Sequence, residues 1–396
     1  MIKINNIEIN NYRSCIKTKF DVHPNLTTLI GINGSGKSNI LNSLQLLKRV
    51  NYDKFITKED IKSHSSLTLA LSFGNINLTI KADFYFENDN QILSGEIKYK
   101  KEGSKKWEDI DLDLYVVVER EKRRGLLNYG AINNRKRIGL NDNVKISFSE
   151  NKKEQFQFEL VQILSNISYY SATQFSDPTE CPSVITLDDF KLTNANNKTK
   201  PHGKFIYDLH HAYCYDKSSF NKFITTVNKE GIGLIDDIVF LATHIPNSKG
   251  KDIQTQNDTI IPRFIIDSKD FSPNQLSEGT FKTLALLFYI INDVSELLLI
   301  EEPEVCIHHG LLDSIIELIK VQSKKKQIII STHSDYVLDK LKPENVVLVS
   351  RDTDKGTIAK PLSKALSKND YAALKSYLQD EGNLGEYWKL SEFEND

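Results

Sequence analysis

The chain has 396 residues, of which 39% are hydrophobic and 26% are charged, and its formal net charge is -2. These values predict a globular protein of two or three domains, and they give no overall sign of nucleic-acid binding. The sequence has no apolar run long enough for a membrane span, no signal-peptide pattern and no C-x-x-C pair among its four cysteines. We therefore expect a cytoplasmic protein without a zinc site or a disulfide framework.

The N-terminal part of the chain predicts β-structure followed by one helix. Ile2, Ile4, Ile7 and Ile9 indicate half-buried extended chain, and residues 26–30 (LTTLI) are typical of a short buried strand. Residues 39–50 carry apolar side chains at helical spacing. Three stretches between residues 66 and 119 alternate apolar and polar residues and are separated by polar turns, which predicts an antiparallel β-lobe.

The segment Gly31 to Ser38 (GINGSGKS) matches the phosphate-loop pattern G-x-x-x-x-G-K-S between the buried strand and the helix. Glycines let backbone N–H groups approach phosphates, and a helix N-terminus favours anions. We predict that Lys37 reaches the β- and γ-phosphates and that Ser38 binds Mg²⁺; a glycine-rich turn is the alternative. The predicted nucleotide-binding residues here are Asn33, Gly34, Ser35, Gly36, Lys37, Ser38 and Asn39.

The middle of the chain is less informative. Residues 98–153 contain 15 Lys/Arg and 9 Asp/Glu, a local net charge of +6 (15 − 9), which indicates either a solvated surface or a contact zone for nucleic acid or an acidic partner. Residues 156–171 predict a helix, and a strand after this helix is left open. Residues 176–203 are rich in loop-forming residues. Residues 205–242 are predicted to be mostly helical, with interruptions at Gly231 and Gly233.

Two motifs occur in the last third of the chain. In NQLSEGTF (residues 274–281), Ser277 can cap the helix predicted at 281–294 and Gly279 allows close approach of an anion. The strand at 297–300 ends in Glu301 and Glu302, whose side chains we expect on opposite sides. With a phosphate loop upstream, we predict Mg²⁺ contact for Glu301 and general-base chemistry for Glu302, against the alternative of two solubilising charges.

The following segments complete the predicted elements. A helix at 310–321 precedes an apolar strand at 327–330, after which His333 is either a γ-phosphate sensor or a structural histidine. Residues 346–360 predict a closing hairpin, although Asp352 and Asp354 mimic the acidic pair of a TOPRIM nuclease domain. The tail, with Trp388 and Phe393, is either a partner-binding segment or a packed helix.

This order of motifs resembles the ABC-type ATPases of the SMC, RecF and OLD branch. The resemblance implies an α/β fold: an ABC-type (RecF/SMC-like) P-loop ATPase head with an antiparallel β-lobe and a helical lobe, and no long coiled coil. In that family the motifs are Walker A (31–38), the signature loop (276–280), Walker B (297–302), the D-loop (303–308) and the switch histidine, His333. The turn NYRS would bring Arg13 to the nucleotide. Gln174 would be the metal-contacting Q-loop glutamine, with a plain loop residue as the alternative.

The resemblance also implies a domain organisation. We expect residues 1–175 to form the N-terminal part of the head and residues 176–268 a helical insertion lobe. Residues 269–360 would form the C-terminal part of the head, and residues 361–396 a helical tail.

The resemblance further implies ATP and Mg²⁺ as cofactors, ATP hydrolysis, and a homodimer or a higher even-numbered assembly. Ser277 and Gly279 of one subunit would close on the nucleotide held by the other. Thr280 and Glu301 depart from the transporter pattern, so the resemblance is closer to ATP-binding proteins of bacterial phage defence, such as the Septu, retron-associated and PARIS ATPases. We therefore expect a separately encoded effector, a nuclease or toxin, and no membrane partner. A RecF-like DNA-repair ATPase and an ATP-stabilised scaffold with little turnover are the alternatives.

Overall fold

The computed structural model describes residues 2–49, 61–86, 93–110, 152–186, 201–244, 258–305, 307–380 and 382–390. The chain divides into two compact units. The first contains residues 1–169, 294–302 and 319–396, and the second contains residues 170–293 and 303–318. The four predicted domain divisions stay predictions. Among the described residues, none of the helices is long and apolar enough to cross a membrane.

The strands are numbered in chain order. They are β1 Ile2–Tyr12, β2 Cys15–Asp21, β3 Leu26–Ile30, β4 Ile61–Phe73, β5 Ile76–Phe86, β6 Leu93–Lys101, β7 Glu108–Asp109, β8 Ile167–Ser171, β9 Ile185–Thr186, β10 Asp237–His244, β11 Asp258–Ile266, β12 Lys269–Phe271, β13 Leu297–Glu301, β14 Gln327–Thr332, β15 Val346–Asp352 and β16 Gly356–Pro361.

The α-helices are numbered in the same way. They are α1 Lys37–Arg49, α2 Lys152–Ser165, α3 Pro201–Tyr215, α4 Lys217–Val227, α5 Glu278–Asn292, α6 His309–Ser323, α7 Asp335–Asp339, α8 Leu362–Ala365, α9 Lys368–Gln379 and α10 Leu384–Leu390.

The predicted antiparallel β-lobe is confirmed, and it begins at residue 2. Its sheet has the strand order β2-β1-β4-β5-β6-β7, and each neighbouring pair is antiparallel. Gly74 adopts a φ of +58° in the two-residue turn between β4 and β5, where Phe73 pairs with Ile76, as a tight hairpin requires. The predicted strand at residues 113–119 and most of the basic stretch lie outside the described residues.

The second sheet of the first unit carries the motif-bearing strands. Its order is β16-β15-β3-β14-β13-β8, in which β15, β3, β14 and β13 are parallel and β16 is antiparallel to β15. The central strands β3 and β14 are buried at every residue, which is the expected pattern for strands covered on both faces. The predicted strands at 26–30, 297–300 and 327–330 and the closing hairpin at 346–360 are therefore confirmed.

Helix α1 is anchored in the core of the first unit. Leu41, Leu44 and Leu47 are fully buried in one cluster with Ile7 of β1 and Leu299 of β13. Burying each of these side chains is worth roughly 1.5–3 kcal/mol. Since the helix cannot move without opening this core, its N-terminus is held at a fixed place beside the sheet.

The second unit differs from its prediction as a mostly helical segment. Residues 205–242 are helical only as far as Val227, and β10 pairs along its length with β11 in a small antiparallel sheet. The helix ends at Val227, and Gly233, with a φ of +74°, lies in the segment between this helix and β10. Residues 237–241 of β10 alternate between exposed and more buried positions. That period of two is typical of a strand. The helical lobe thus also contains β-structure.

The tail forms a packed helix where it is described. In α10, Leu384 is buried and Trp388 packs against a cluster that includes Leu338 and Val346. Lys389 forms an ion pair with Asp335. Residues 391–396, including Phe393, lie outside the described residues.

Candidate nucleotide-binding site

The loop from Gly31 to Gly36 joins β3 to α1, and two of its glycines adopt backbone conformations that other residues rarely take. The φ angles are +83° at Gly34 and +108° at Gly36. A Cβ atom on Gly36 would lie 2.0 Å from Oγ1 of Thr357, and one on Gly31 would lie 2.0 Å from the carbonyl oxygen of Val349. The sequence motif therefore reflects close backbone packing as well as access to an anion.

Lys37 is buried at the first position of α1, with 4% of its surface exposed. Its Nζ donates hydrogen bonds to the carbonyl oxygens of Gly31 (2.7 Å) and Ile32 (3.1 Å). A buried ammonium group needs such acceptors. Its position beside the loop and the helix N-terminus is suited to an anionic ligand, whose charged oxygens are stronger acceptors than carbonyls.

Two segments distant in sequence support the loop from behind. In the first segment, Ser14 Oγ accepts a hydrogen bond from Asn39 Nδ2 (2.6 Å) and lies 2.7 Å from the hydroxyl of Thr357. In the second segment, Thr357 Oγ1 donates to the carbonyl oxygen of Ser35 in the loop (3.0 Å). Arg13, in the tight turn before Ser14, donates to Asn39 Oδ1 (3.3 Å). The structure thus places Arg13 beside Asn39 in the first turn of α1, and its contact with a nucleotide stays a prediction. Sequence reasoning missed Thr357 because it comes from the opposite end of the chain.

The register of the parallel strands places Glu301 beside the phosphate loop, at the C-terminal ends of β3, β14 and β13. Glu301 pairs with Ser331 of β14, and Ser331 pairs with Leu29 of β3, two residues before the phosphate loop. The Tyr169 hydroxyl, on β8, donates a hydrogen bond to Oε2 of Glu301. Tyr169 was not predicted, and its place depends on the pairing of β8 with β13 rather than on any local motif.

Glu302 and His333 also come together. Oε1 of Glu302 lies 3.6 Å from Nδ1 of His333, and the Glu302 N–H donates to the carbonyl of Ser331 (2.9 Å). β13 ends at Glu301, and Glu302 lies beyond the strand with a φ of +46°. The opposite orientation of the two side chains stays a prediction. A left-handed conformation at a non-glycine residue costs energy and persists where surrounding contacts hold it. Here that conformation directs Glu302 toward His333.

The predicted signature segment begins α5, in the second unit. The exposed Ser277 caps the helix by accepting from the N–H of Thr280 (3.2 Å). Gly279 lies in the first turn. Lys282 is buried, with 2% of its surface exposed, and its Nζ lies 2.8 Å from Oε1 of Glu278. The hydrogen bond from Lys282 lowers the pKa of Glu278. The sequence offered no signal for this pair beyond its i, i+4 spacing.

Gln174 also belongs to the second unit, in a 3-10 turn at residues 172–175 that directly follows β8. Its Oε1 accepts from the N–H of Ser171 at 3.5 Å, completing a capping box. The side chain is therefore engaged in its own turn. Its metal contact stays a prediction.

The residues of the first unit fit a magnesium nucleotide. Mg²⁺ prefers oxygen ligands and is bound through one or two protein groups together with phosphates and water. The Ser38 hydroxyl and the Glu301 carboxylate are such groups. Among the described residues no cluster of three or more His, Cys, Asp or Glu could hold a metal ion. The buried hydroxyls of Ser35 and Ser331, in the loop and beside Glu301, have no hydrogen-bond partner in the described part of the chain.

The chain matches one protein family over most of its length and resembles two characterised proteins. Residues 26–339 match the family described as "AAA domain, putative AbiEii toxin, Type IV TA system". The Old nuclease of Escherichia phage P2 is 24% identical over 395 residues, covering 91% of this chain and 61% of the nuclease. The DNA replication and repair protein RecF of Lactococcus lactis subsp. cremoris (strain MG1363) is 28% identical over 112 residues, covering 24% of this chain and 31% of RecF. The chain thus spans less than two thirds of either relative.

Solved structures show the same fold. An Smc head bound to the C-winged helix domain of ScpA has a TM-score of 0.51 and 14% identity, covering 90% of this chain and 96% of that one. An Smc head with an extended coiled coil, bound to the C-terminal domain of ScpA derived from Pyrococcus furiosus, has a TM-score of 0.52 and 14% identity, covering 96% and 100%. The predicted fold of an ABC-type ATPase head is confirmed.

Proposed function

The chain belongs to the family described as "AAA domain, putative AbiEii toxin, Type IV TA system" and is an ATPase of the SMC/RecF/OLD type, and from this premise we propose that it hydrolyses ATP to switch between associated and separate copies of itself. One observation carries the proposal. Glu302 and His333 meet at 3.6 Å on the sheet edge where β3 enters the phosphate loop. A carboxylate and an imidazole so placed can orient a water molecule and sense a terminal phosphate.

Each residue of the first unit has a proposed task. The loop backbone and Lys37 bind the β- and γ-phosphates, and Arg13 adds positive charge beside the loop. Glu302 orients the attacking water and accepts its proton, while His333 contacts the γ-phosphate. Mg²⁺, held by Ser38 and through water by Glu301, would supply the positive charge that offsets the charge developing on the phosphates.

The association step rests on the second unit. Ser277 is exposed at the N-terminus of α5, where its hydroxyl and the nearby Gly279 can meet a phosphate held by another copy of the chain. Closure would then follow from tighter ATP binding in the associated state, and hydrolysis would reverse it. Gln174 is proposed to contact the metal in that state.

We propose that this switch controls a separately encoded effector, a nuclease or toxin, in defence against phages. The family description names a toxin–antitoxin system and one relative is a phage nuclease, which supports an effector of that class. A second candidate is a DNA-binding ATPase of the repair type, favoured by the similarity to RecF. The effector should bind only one nucleotide state, whereas DNA binding should weaken steeply with salt.

The test measures ATP turnover and mass in solution for the wild type, Glu302→Gln and Ser277→Arg. Glu302→Gln should reduce turnover about 100-fold or more and accumulate the ATP-bound dimer. Ser277→Arg should bind ATP normally yet neither dimerise nor turn it over. Glu317→Gln, an exposed change on α6, is the control.

Two outcomes would count against the proposal. Equal inertness of the wild type and Glu302→Gln would favour a scaffold that holds ATP without hydrolysing it. Normal turnover by Ser277→Arg would mean that Ser277 is only a helix cap.

A further inference from the structure

We propose that Tyr169 is a positioning residue of the nucleotide site, which holds the Glu301 carboxylate in place for the metal. The inference rests on the proposed function, because it assigns a role to a neighbour of a predicted metal-binding group. It starts from one contact, the hydrogen bond from the Tyr169 hydroxyl to Oε2 of Glu301. Hydrogen bonds to a charged acceptor are about twice as strong as neutral ones.

The tyrosine is itself held firmly. Tyr169 is the central residue of β8, which lies beside β13 at the edge of the sheet. Its ring packs against the main hydrophobic cluster of the first unit and is partly buried. A ring fixed by the core presents its hydroxyl at a defined point, so the acceptor carboxylate is restrained with little entropic cost at binding.

The length of the Glu301 side chain explains why a restraint on its carboxylate matters. A glutamate has one more methylene group and one more rotatable bond than an aspartate. An unrestrained glutamate would place its carboxylate in several positions and lose conformational freedom on binding a metal. The Tyr169 hydroxyl engages one oxygen, Oε2, and so fixes the direction of the other. Groups that orient metal ligands in this way tune metal affinity.

The neighbouring tyrosine supplies a matched control. Tyr170 follows Tyr169 in β8, and its hydroxyl donates to Oδ2 of Asp293 (3.2 Å) while its ring stacks on Tyr289 at 4.5 Å. Tyr170→Phe therefore removes the hydroxyl that donates to Asp293, at the position next to Tyr169, and keeps the stacked ring.

The experiment measures the Kd of a non-hydrolysable ATP analogue by calorimetry, with Mg²⁺ and with EDTA. Tyr169→Phe should leave the Kd in EDTA unchanged and reduce the affinity gained from Mg²⁺ by about 10-fold, the lower range for a hydrogen bond to a charged group. Tyr170→Phe should leave both values at wild-type level. Glu301→Asp should lose the same Mg²⁺-dependent gain, and adding Tyr169→Phe to it should cause no further loss.

Three results would overturn the role of Tyr169. These are an unchanged Mg²⁺ effect in Tyr169→Phe, an equal loss in Tyr170→Phe, and additive losses in the double variant. A wild-type protein that binds the analogue without any Mg²⁺ effect would instead contradict the proposed function itself. Thermal unfolding of each variant, expected near the wild-type midpoint for Tyr169→Phe because the ring is retained, identifies any loss that comes from misfolding.

Discussion

Helices α1 and α5 both begin at a segment containing serine and glycine, yet their first turns are built differently. Before α1, Gly34 and Gly36 have positive φ angles and the loop is packed against the hairpin of β15 and β16. At the start of α5, Ser277 caps the helix with its own side chain. The first N-terminus is thus shaped by distant parts of the chain, whereas the second is capped by the residue directly before it.

The buried lysines of the two helices show the same difference. Lys37 donates to two backbone carbonyls of its loop, and Lys282 pairs with the carboxylate of Glu278 on its own helix. An incoming phosphate would offer Lys37 charged acceptors. At Lys282, a phosphate would have to compete with the carboxylate of Glu278, which is already paired with this lysine. We infer that the first lysine serves binding and the second serves the stability of the helix.

The largest expected effect comes from removing these two lysines in turn. Lys37→Ala should weaken ATP binding on the order of 100-fold, because charge-assisted hydrogen bonds to the phosphates are lost. Lys282→Ala should leave the affinity for ATP nearly unchanged and lower the midpoint of thermal unfolding. Calorimetric titration and thermal melts measure both quantities. A similar loss of affinity in both variants would contradict the distinction between the two helices.

Alanine at the glycines gives a smaller effect. Gly36→Ala should lower the free energy of unfolding by about 1–3 kcal/mol more than Gly34→Ala, because only the Cβ at Gly36 meets Thr357 Oγ1 at 2.0 Å. Both positions have positive φ, so their difference isolates the clash. Gly279→Ala, within the helical turn of α5, should cost no stability. The measurement is urea unfolding of the three variants without nucleotide. Equal losses of stability at Gly34 and Gly36 would show that the hairpin of β15 and β16 moves to relieve the clash.

The smallest effect is a pH dependence at α5. Lys282 holds the pKa of Glu278 below its ordinary value of 4.5. A lowered folded-state pKa means that the pair stabilises the fold above the unfolded-state pKa and that this contribution is lost as pH falls through the lowered value. The stability difference between the wild type and Glu278→Gln should therefore be present at neutral pH and shrink below about pH 4.5. Glu230→Gln, at an exposed turn, is the control in urea titrations. A pH-independent difference would mean that the pair acts by packing alone.

Much of the fold was predictable because its cues are local. The buried strands β3, β13 and β14 are runs of apolar residues, and the capping serine of α5 precedes its helix directly. The prediction was wrong for β10, since an apolar segment after two helices was interpreted as more helix. The alternation of buried and exposed residues in β10 identifies it as a strand only when its pairing with β11 is known.

Local motifs could single out candidate residues such as Lys37, Glu302 and His333, but not their supporting contacts. Thr357 behind the phosphate loop and Tyr169 beside Glu301 are hydrogen-bond partners separated by long stretches of sequence. The positive φ of Glu302 likewise has no local cue, because glycine is the residue that ordinarily marks such a conformation.

The sequence by itself determined where the chain can turn tightly, where helices begin and which strands are buried, because glycine conformations, caps and hydrophobic periodicity are properties of neighbouring residues. Only the tertiary structure decided that Glu301, Glu302 and His333 share an edge with the phosphate loop. Parallel pairing in the order β3-β14-β13 brings together the carboxyl ends of strands that are far apart in the sequence. Strand order and register depend on long-range packing, and that packing turns separate motifs into one site.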